Sequence, residues 1–402
     1  MALTNFGDLT GAQLQAWSRD FWKVARNQSF INQFAGTGSN AMVQRVTELT
    51  KSQKGTKANI TLLADMTGDG VTGDFTLEGN EEALRAFDIS IQLDQLRFAN
   101  RIAGRMADQK TVVNFREQSR DALAYAMADR IDQLAFLTLS GVDYGLKNNG
   151  AARANAELNL TGTATTTKDG SALQDLEFAS DVSAPTAKRW LRVSGTGNNA
   201  SLEDGDTDSV TATDKLNYRS IVELKAYAKD NYIRGIRAAG NQEVFHMFVT
   251  PQQMADLKLD SDFIANVRNA GVRGASNSLF AGTSSLMVDG VMIHEFRHVF
   301  NTSGAATGTA PVGDADSVDK GKQGYKWGVD ADVVGARALF CGAQALAMAD
   351  IGLPEMVEDT FDYGNQSGIS VGKIFGLRKP KYNSDVSGDV QDFGVICLDT
   401  AQ

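Results

Sequence analysis

Residues 59–97 read NITLLADMTGDGVTGDFTLEGNEEALRAFDISIQLDQLR, and the fold prediction starts from this part of the chain. From 87 to 94, apolar residues occupy every second position, which predicts a strand with one buried face, and 59–63 is a second strand-forming run. The glycine-rich stretch 67–73 between them favours turns over any regular element. We therefore expect a long β-hairpin with an irregular tip.

A long helix is predicted after the hairpin. Asp108 is the expected N-cap, and the helical pattern runs to Ser140, just before Gly141. The apolar positions recur at multiples of three and four, namely Val112, Phe115, Leu123, Met127, Ile131 and Leu134. Four charged residues fall off this stripe, namely Arg116, Arg120, Asp121 and Asp132. Such a helix would span roughly 50 Å, a length that suits a strut.

The second half of the chain predicts a mixed α/β unit. Residues 142–216 are rich in Gly, Thr, Ser, Asn and Asp and indicate inserted loops with a strand at 189–193. The further predicted elements are a helix at 218–230, a strand at 244–249, a helix opening at Pro251, a strand-like stretch at 286–300, a surface loop at 302–322, a buried apolar segment at 336–349 and closing strands at 368–377 and 392–398.

Composition narrows the class of protein. The 402 residues suffice for two or three folded units, with 42% apolar and 22% charged residues. A formal charge of -10 argues against non-specific electrostatic binding of nucleic acid. No stretch is long and apolar enough for a membrane span, and the first residues lack an export signal, so synthesis in the cytoplasm is expected. Cys341 and Cys397 lie in apolar runs and are predicted to be buried free thiols.

One stretch of the sequence matches a catalytic motif. Residues 294–298 read HEFRH and match the H-E-x-x-H pattern of zinc peptidases. That chemistry needs a helix, because only there do both imidazoles reach one zinc ion. Here the segment follows the turn signal Asp289-Gly290 and is rich in β-branched and aromatic residues, which predicts a strand. We expect no zinc at His294 and His298, with a zinc metallopeptidase using His294, Glu295 and His298 as the alternative.

The apparent nucleotide-binding and calcium-binding motifs are better explained as turns. Gly68 to Gly73 matches G-x-G-x-x-G, but no helix opens behind it to meet a phosphate, so we predict a hairpin tip rather than a nucleotide site. The acidic runs 65–69 and 204–208 lack the glutamate of a calcium loop and are predicted to be solvated turns. No nucleophile elbow or P-loop is present. We therefore assign no catalytic, cofactor-binding or metal-binding residue.

The order of elements, an arm, a glycine-tipped hairpin, a strut helix, an α/β unit and closing strands, resembles the Hong Kong 97 fold of tailed-phage major capsid proteins. Two strings in the hairpin look like the major capsid proteins of N-four-like phages (enquatroviruses), namely Gly68-Asp69-Gly70-Val71-Thr72-Gly73-Asp74 and Leu77-Glu78-Gly79-Asn80-Glu81-Glu82-Ala83-Leu84. The resemblance covers the whole chain by element order and is strongest over about residues 40–140.

The resemblance implies an α+β capsid fold with five segments. These are an N-terminal arm at 1–58, an extended hairpin loop at 59–97, a peripheral domain with spine helix and inserted loops at 98–216, an axial domain at 217–349 and a return to the peripheral domain at 350–402. It implies a non-enzymatic subunit that self-assembles through hexamers and pentamers into an icosahedral shell around double-stranded DNA. The DNA would be held without sequence-specific binding, in a virion whose protein is made in the host cytoplasm.

The implied partners are other copies of the chain, with scaffolding, portal and decoration proteins as candidates and no membrane. Within the hairpin, composition itself points to a contact surface, because one isolated hairpin cannot bury its own apolar side chains. We therefore expect inter-subunit contacts from Val71, Phe75, Leu77, Glu78, Glu81, Glu82 and Arg85.

Overall fold

The computed structural model describes most of the chain. The described residues are 29–46, 55–63, 70–81, 86–110, 115–153, 172–238, 240, 242–270, 285–308, 324–352, 354–383 and 389–402. The predicted arm before residue 29 and the acidic run 65–69, predicted to be a solvated turn, therefore lie outside the described residues.

The described part of the chain contains helices and strands in a mixed order. The helices are α1 (Arg105–Lys110), α2 (Phe115–Ser140), α3 (Tyr218–Asp230), α4 (Pro251–Leu259) and α5 (Ser261–Ala270). The first strands are β1 (Ala35–Gly36), β2 (Val43–Val46), β3 (Lys57–Leu63), β4 (Ala86–Gln92), β5 (Asp94–Arg101), β6 (Trp190–Ser194), β7 (Ser201–Asp204), β8 (Ile236–Arg237) and β9 (Glu243–Val249). The remaining strands are β10 (Ser285–Val288), β11 (Val291–Glu295), β12 (Gly335–Cys341), β13 (Leu346–Asp350), β14 (Glu355–Phe361), β15 (Gln366–Arg378), β16 (Lys381–Asn383), β17 (Val390–Asp392) and β18 (Val395–Ala401).

Two large sheets organise these elements. The first has the strand order β1-β2-β13-β15-β14, with β5 also paired to β15. The second has the order β10-β11-β9-β12-β18-β6-β7, with β8 paired to β9. The main hydrophobic core contains residues of α2 together with residues of both sheets, and a second core joins the eight-stranded sheet to α3 and α4.

The predicted hairpin is present. β3 and β4 pair antiparallel in a continuous register from Lys57 opposite Gln92 to Leu63 opposite Ala86. The alternation places Ile89 and Ile91 in the interior, where they pack with Ala347 and Ala349 of β13. Residues 94–97, which were predicted as part of the hairpin, instead begin β5 and pair with β15, because the chain leaves the two-stranded ladder at Leu93.

The strut helix begins differently from its prediction but ends as predicted. Asp108 is not an N-cap, since it lies inside α1, and α2 starts at Phe115. The helix ends at Ser140, and Gly141 adopts a left-handed φ of +71°, a conformation that favours glycine after a helix. The predicted stripe residues Leu123, Met127, Ile131 and Leu134 are all buried.

Asp132 is buried even though it lies off the apolar stripe. The reason is that the last half of α2 is enclosed on several sides, with Ala135, Phe136 and Leu139 also buried. A single apolar stripe is expected only for a helix that has one face in solvent, and this half of α2 exposes little surface to solvent.

The sheets divide the chain differently from the predicted segments. Part of the predicted arm lies in a sheet, because β2 pairs parallel with β13. The predicted return segment at 350–402 is split, since β15 lies in the six-stranded sheet while β18 sits between β12 and β6 in the eight-stranded sheet. Strands β6 and β7, within the predicted peripheral segment, also belong to the eight-stranded sheet. The five named domains stay a prediction.

The α/β unit follows its sequence patterns closely. Helix α3 has the predicted bounds and is capped by Asn217, whose side chain accepts from the Ser220 amide at 2.8 Å. Helix α4 opens at Pro251 behind a Thr250 cap. The stretch predicted as strand-like at 286–300 forms the hairpin β10–β11, with Asp289 and Gly290 at positive φ in its turn, but the strand ends at Glu295 rather than continuing to 300.

Candidate functional site

The hairpin tip, residues 70–81, carries exposed apolar side chains. Phe75 is 79% exposed and Leu77 is 63% exposed, while Val71 is half-buried. Glu78 and Glu81 are also exposed. The other predicted contact residues, Glu82 and Arg85, lie outside the described residues.

Local hydrogen bonds give the tip a defined shape. The Asn80 side chain donates to the Thr76 carbonyl at 2.9 Å, and the Asn80 amide donates to the Leu77 carbonyl at 3.0 Å. The Gly79 amide donates to the Glu81 carboxylate at 2.7 Å, and Gly79 has a φ of +92°. These bonds form a turn over 76–81 that holds Phe75 and Leu77 outward.

The base and the tip of the hairpin therefore have different environments. Ala58, Ile60, Ile89 and Ile91 at the base are buried in a hydrophobic cluster of the same subunit. Phe75 and Leu77 at the tip remain in solvent, and covering such side chains stabilises by about 1.5–3 kcal/mol each. The tip is thus a surface suited to contact with another molecule.

A second exposed surface was missed by the sequence analysis. Strands β5, β15 and β14 form a three-stranded ribbon, and its outer face carries Arg97, Arg101, Val357 and Phe361. The Arg101 guanidinium lies 5.2 Å from the centre of the Phe361 ring. The only sequence signal was the alternation along β5 and β14, which does not show that the two strands lie on either side of β15.

The turn at the end of this ribbon is held in a constrained conformation. Asp362 and Tyr363 have φ values of 54° and 52°, which is costly for residues other than glycine, and Gly364 follows at 81°. Asn365 donates to the Asp362 carboxylate at 3.1 Å and accepts from the Arg105 amide at 3.3 Å. Tyr363 is fully exposed at the apex.

The H-E-x-x-H motif does not bring its histidines together. His294 lies in β11, and its Nε2 is 3.0 Å from Nδ1 of His246 on the neighbouring strand β9. His298 lies beyond the strand end, with its Nε2 2.6 Å from the Asp129 carboxylate on α2. Within the described part of the chain, no group of three or more potential ligands could hold a metal ion.

The electrostatics of the two histidine sites differ. The hydrogen bond from His298, opposed by burial and supported by Arg297, lowers the pKa of Asp129 from its usual 3.8 to about 2. Burial, together with the charge of His294, lowers the pKa of His246 to about 4. Burial also lowers the pKa of His294. These groups form two side-chain pairs within the fold, His246 with His294 and Asp129 with His298.

The two cysteines are buried, as predicted. Cys341 on β12 and Cys397 on β18 are free thiols with no exposed surface. Burial raises the pKa of both thiols, that of Cys397 to about 12, so neither is a reactive thiolate. Among the described helices, none is long and apolar enough to cross a bilayer.

Comparison with known proteins identifies the class of this fold. The structure is similar to the capsid of Ralstonia phage GP4, with a TM-score of 0.66, 24% identity, and coverage of 92% of this chain and 90% of that one. It is also similar to the capsid asymmetric unit of cyanophage Pam1, with a TM-score of 0.62, 16% identity, and coverage of 93% and 92%. The two sheets and the long helix are thus the Hong Kong 97-type capsid fold.

Sequence comparison then gives the family. Residues 5–402 match the family model described as phage capsid protein. The major capsid protein of Pseudomonas phage KPP25 is 51% identical over 394 residues, which cover 98% of this chain and 96% of that protein. The chain therefore belongs to the phage capsid protein family. The predicted fold and the predicted role as a phage major capsid protein are confirmed, and nothing supports the metallopeptidase alternative.

Proposed function

We propose that this chain assembles through hexamers and pentamers into an icosahedral shell around double-stranded DNA, and that the hairpin tip contacts a neighbouring subunit. The exposed pair Phe75 and Leu77 at the end of an anchored hairpin carries the proposal. The base of the hairpin is buried in its own subunit, and hydrogen bonds within 76–81 give the tip a local shape before any contact is made. A neighbouring subunit that covers Phe75 and Leu77 would remove their apolar surface from water.

The outer face of the ribbon is the surface that we infer receives this tip on another copy. It offers Val357 and Phe361 as apolar contacts, and Arg97 and Arg101 as partners for Glu78 and Glu81. Exposed ion pairs contribute only about 0–1 kcal/mol each, so shape and apolar contact would provide most of the affinity. The charges would select the register in which the two surfaces meet.

The role that we propose is structural and not catalytic, for a protein that is made in the host cytoplasm and incorporated into the virion. Scaffolding, portal and decoration proteins are its candidate partners. Its net charge of -10 is consistent with a shell that encloses DNA without binding it tightly. The link to N-four-like phages rests on the hairpin strings alone, and the proposed division into five domains is 1–58, 59–97, 98–216, 217–349 and 350–402.

Assembly of the purified chain tests this function. Light scattering coupled to size-exclusion chromatography, followed by negative-stain microscopy, should detect rings, tubes or closed shells. If only small oligomers form, with or without added scaffolding proteins of the same phage, the proposal is wrong. Peptidase activity that disappears in Glu295→Gln would also contradict it.

A further inference from the structure

Residues 29–36 form a short segment that crosses the junction between the two large sheets, and we call this segment the latch. One end is held by Asp132 on α2. Its carboxylate accepts from the Ser29 hydroxyl at 2.7 Å, the Phe30 amide at 2.8 Å and the Ile31 amide at 3.1 Å. A buried carboxylate with three donors fixes the start of the latch to the helix.

The aromatic side chains of the latch cover two strands of the eight-stranded sheet. Phe30 stacks on Phe296 with ring centres 4.2 Å apart. Phe34 lies edge-on to both histidines of the pair, 5.0 Å from His246 and 5.1 Å from His294. The latch therefore connects α2 to β9 and β11, and it covers the imidazoles at the same time.

We propose that the latch is an acid-sensitive switch, in which protonation of the pair His246 and His294 displaces residues 29–36 from the junction between the sheets. The inference goes beyond the proposed assembly function and does not depend on it. The geometry behind it is the 3.0 Å contact between two imidazole nitrogens under the ring of Phe34.

A neutral pair suits this contact, because one ring nitrogen donates the hydrogen and the other accepts it. When both rings are protonated, both facing nitrogens carry hydrogens and positive charge, so the bond is lost and the rings repel. Burial has already lowered the pKa of both groups, to about 4 for His246. Protons therefore bind more tightly to a conformation in which the rings are solvated.

The latch is the element that can move to admit water. β9 is held between β11 and β12, and β11 is paired on both sides with β9 and β10. Displacing either strand would break a ladder of backbone hydrogen bonds. Moving residues 29–36 exposes the rings at the cost of the aromatic contacts, the bonds to Asp132 and the two-residue pairing of the edge strand β1 with β2, which is shorter than either of those ladders.

Other titratable and charged groups also lie near the junction, and one of them acts against the histidines. They are Asp129 and Asp132 on α2, Glu295, Arg297 and His298 at and beyond the end of β11, and Cys341 opposite His246 on β12. The latch itself carries no charged residue. Burial raises the pKa of Asp132, so its protonation favours the closed latch and opposes the histidines.

The direction with pH follows from linkage. A histidine whose pKa is depressed in the closed state stabilises that state fully above its usual pKa of 6.5, and the stabilisation is lost as pH falls toward 4. We therefore expect the latch to be closed at pH 7.5 and to open between about pH 6 and pH 4.

A spin label on Gln33→Cys tests the switch in the full chain, since Gln33 is exposed within the latch and both native cysteines are buried. On going from pH 7.5 to pH 4.5, the mobile fraction of the label should rise by at least about fivefold. A control label on Ser201→Cys, in the exposed edge strand β7, should stay unchanged. The double variant His246→Gln, His294→Gln should keep the Gln33 label immobile at both pH values.

Three results would overturn the inference: no mobility change in the parent chain, an equal change at Ser201, or the same change in the double variant. If the double variant does not fold, the pKa values of His246 and His294 are measured by proton NMR in the parent chain instead. Ordinary titration of both near pH 6.5 would contradict the switch. Depressed values, with loss of latch contacts over the same pH range, would support it.

Discussion

Arg337 and Asp399 face each other across β12 and β18 and form a bidentate ion pair in the interior. The guanidinium Nε and Nη2 donate to the two carboxylate oxygens at 2.7 and 2.9 Å. Nη1 donates to the Ser140 carbonyl at 2.9 Å, so the same side chain caps the end of α2. The Trp190 indole donates to Asp399 at 2.7 Å, and its ring lies under Arg337. This pair joins the strut helix to the eight-stranded sheet.

Arg337→Ala should lower the free energy of unfolding by about 3–5 kcal/mol, because it leaves a buried carboxylate without its cation. Urea denaturation of the unassembled subunit measures the loss. Arg219→Ala, which removes the exposed pair with Glu223 on α3, is the control and should cost about 0.5 kcal/mol or less. Similar losses for the two variants would contradict the role assigned to Arg337.

The pair Asp129 and His298 predicts a specific acid sensitivity. The pKa of Asp129 is lowered from 3.8 to about 2, so its stabilising contribution is complete above about pH 4 and is lost as pH falls toward 2. Asp129→Asn should therefore flatten the dependence of stability on pH between 4 and 2. Denaturant midpoints measured across that range test this. An unchanged slope would show that Asp129 is not stabilised by His298 and Arg297 in solution.

The hairpin tip should affect assembly without affecting the fold. Phe75→Ser with Leu77→Ser should leave the circular dichroism spectrum and Tm of the subunit unchanged, because both side chains are exposed, yet prevent closed shells. Replacing residues 67–79 by a short Gly-Ser turn should have the same result. Negative-stain microscopy is the measurement.

Leu259→Ser is the matched control for the tip, since Leu259 is 76% exposed but lies at the end of α4. This variant should still form shells. Normal particles from the tip variant, or failure of the tip variant to fold as a monomer, would mean that the tip does not act between subunits.

Gly141 should be the most sensitive position at the end of α2. A Cβ there would lie 2.5 Å from the Ser183 carbonyl oxygen, and the residue has a φ of +71°. Gly141→Ala should therefore cost about 2–5 kcal/mol, from left-handed strain and from overpacking. Gly197→Ala isolates the backbone effect, because Gly197 has a φ of +52° and open space around it, and it should cost about 1–2 kcal/mol. Thermal unfolding measures the free energy of unfolding of both variants. Equal losses would show that the close approach to Ser183 adds nothing to the cost at Gly141.

Local patterns in the sequence were sufficient for the elements whose stability depends on neighbours along the chain. The alternation at 87–94 determines which face of β4 is buried, and Asn217 determines where α3 begins, because both effects act within a few residues. The turn at Asp289 and Gly290 likewise predicted the hairpin β10–β11. The apolar hairpin tip was predicted for the same reason, from composition alone.

Contacts between segments far apart in the sequence could not be predicted and became visible in the folded chain. The burial of Asp132 depends on donors about a hundred residues away, and the central place of β18 depends on β12 and β6. The separation of His294 from His298 depends on where β11 ends and on Asp129 from another element. Periodicity records which face of an element is apolar, but the partner that covers the face is selected by packing of the whole chain, and no local pattern encodes that choice.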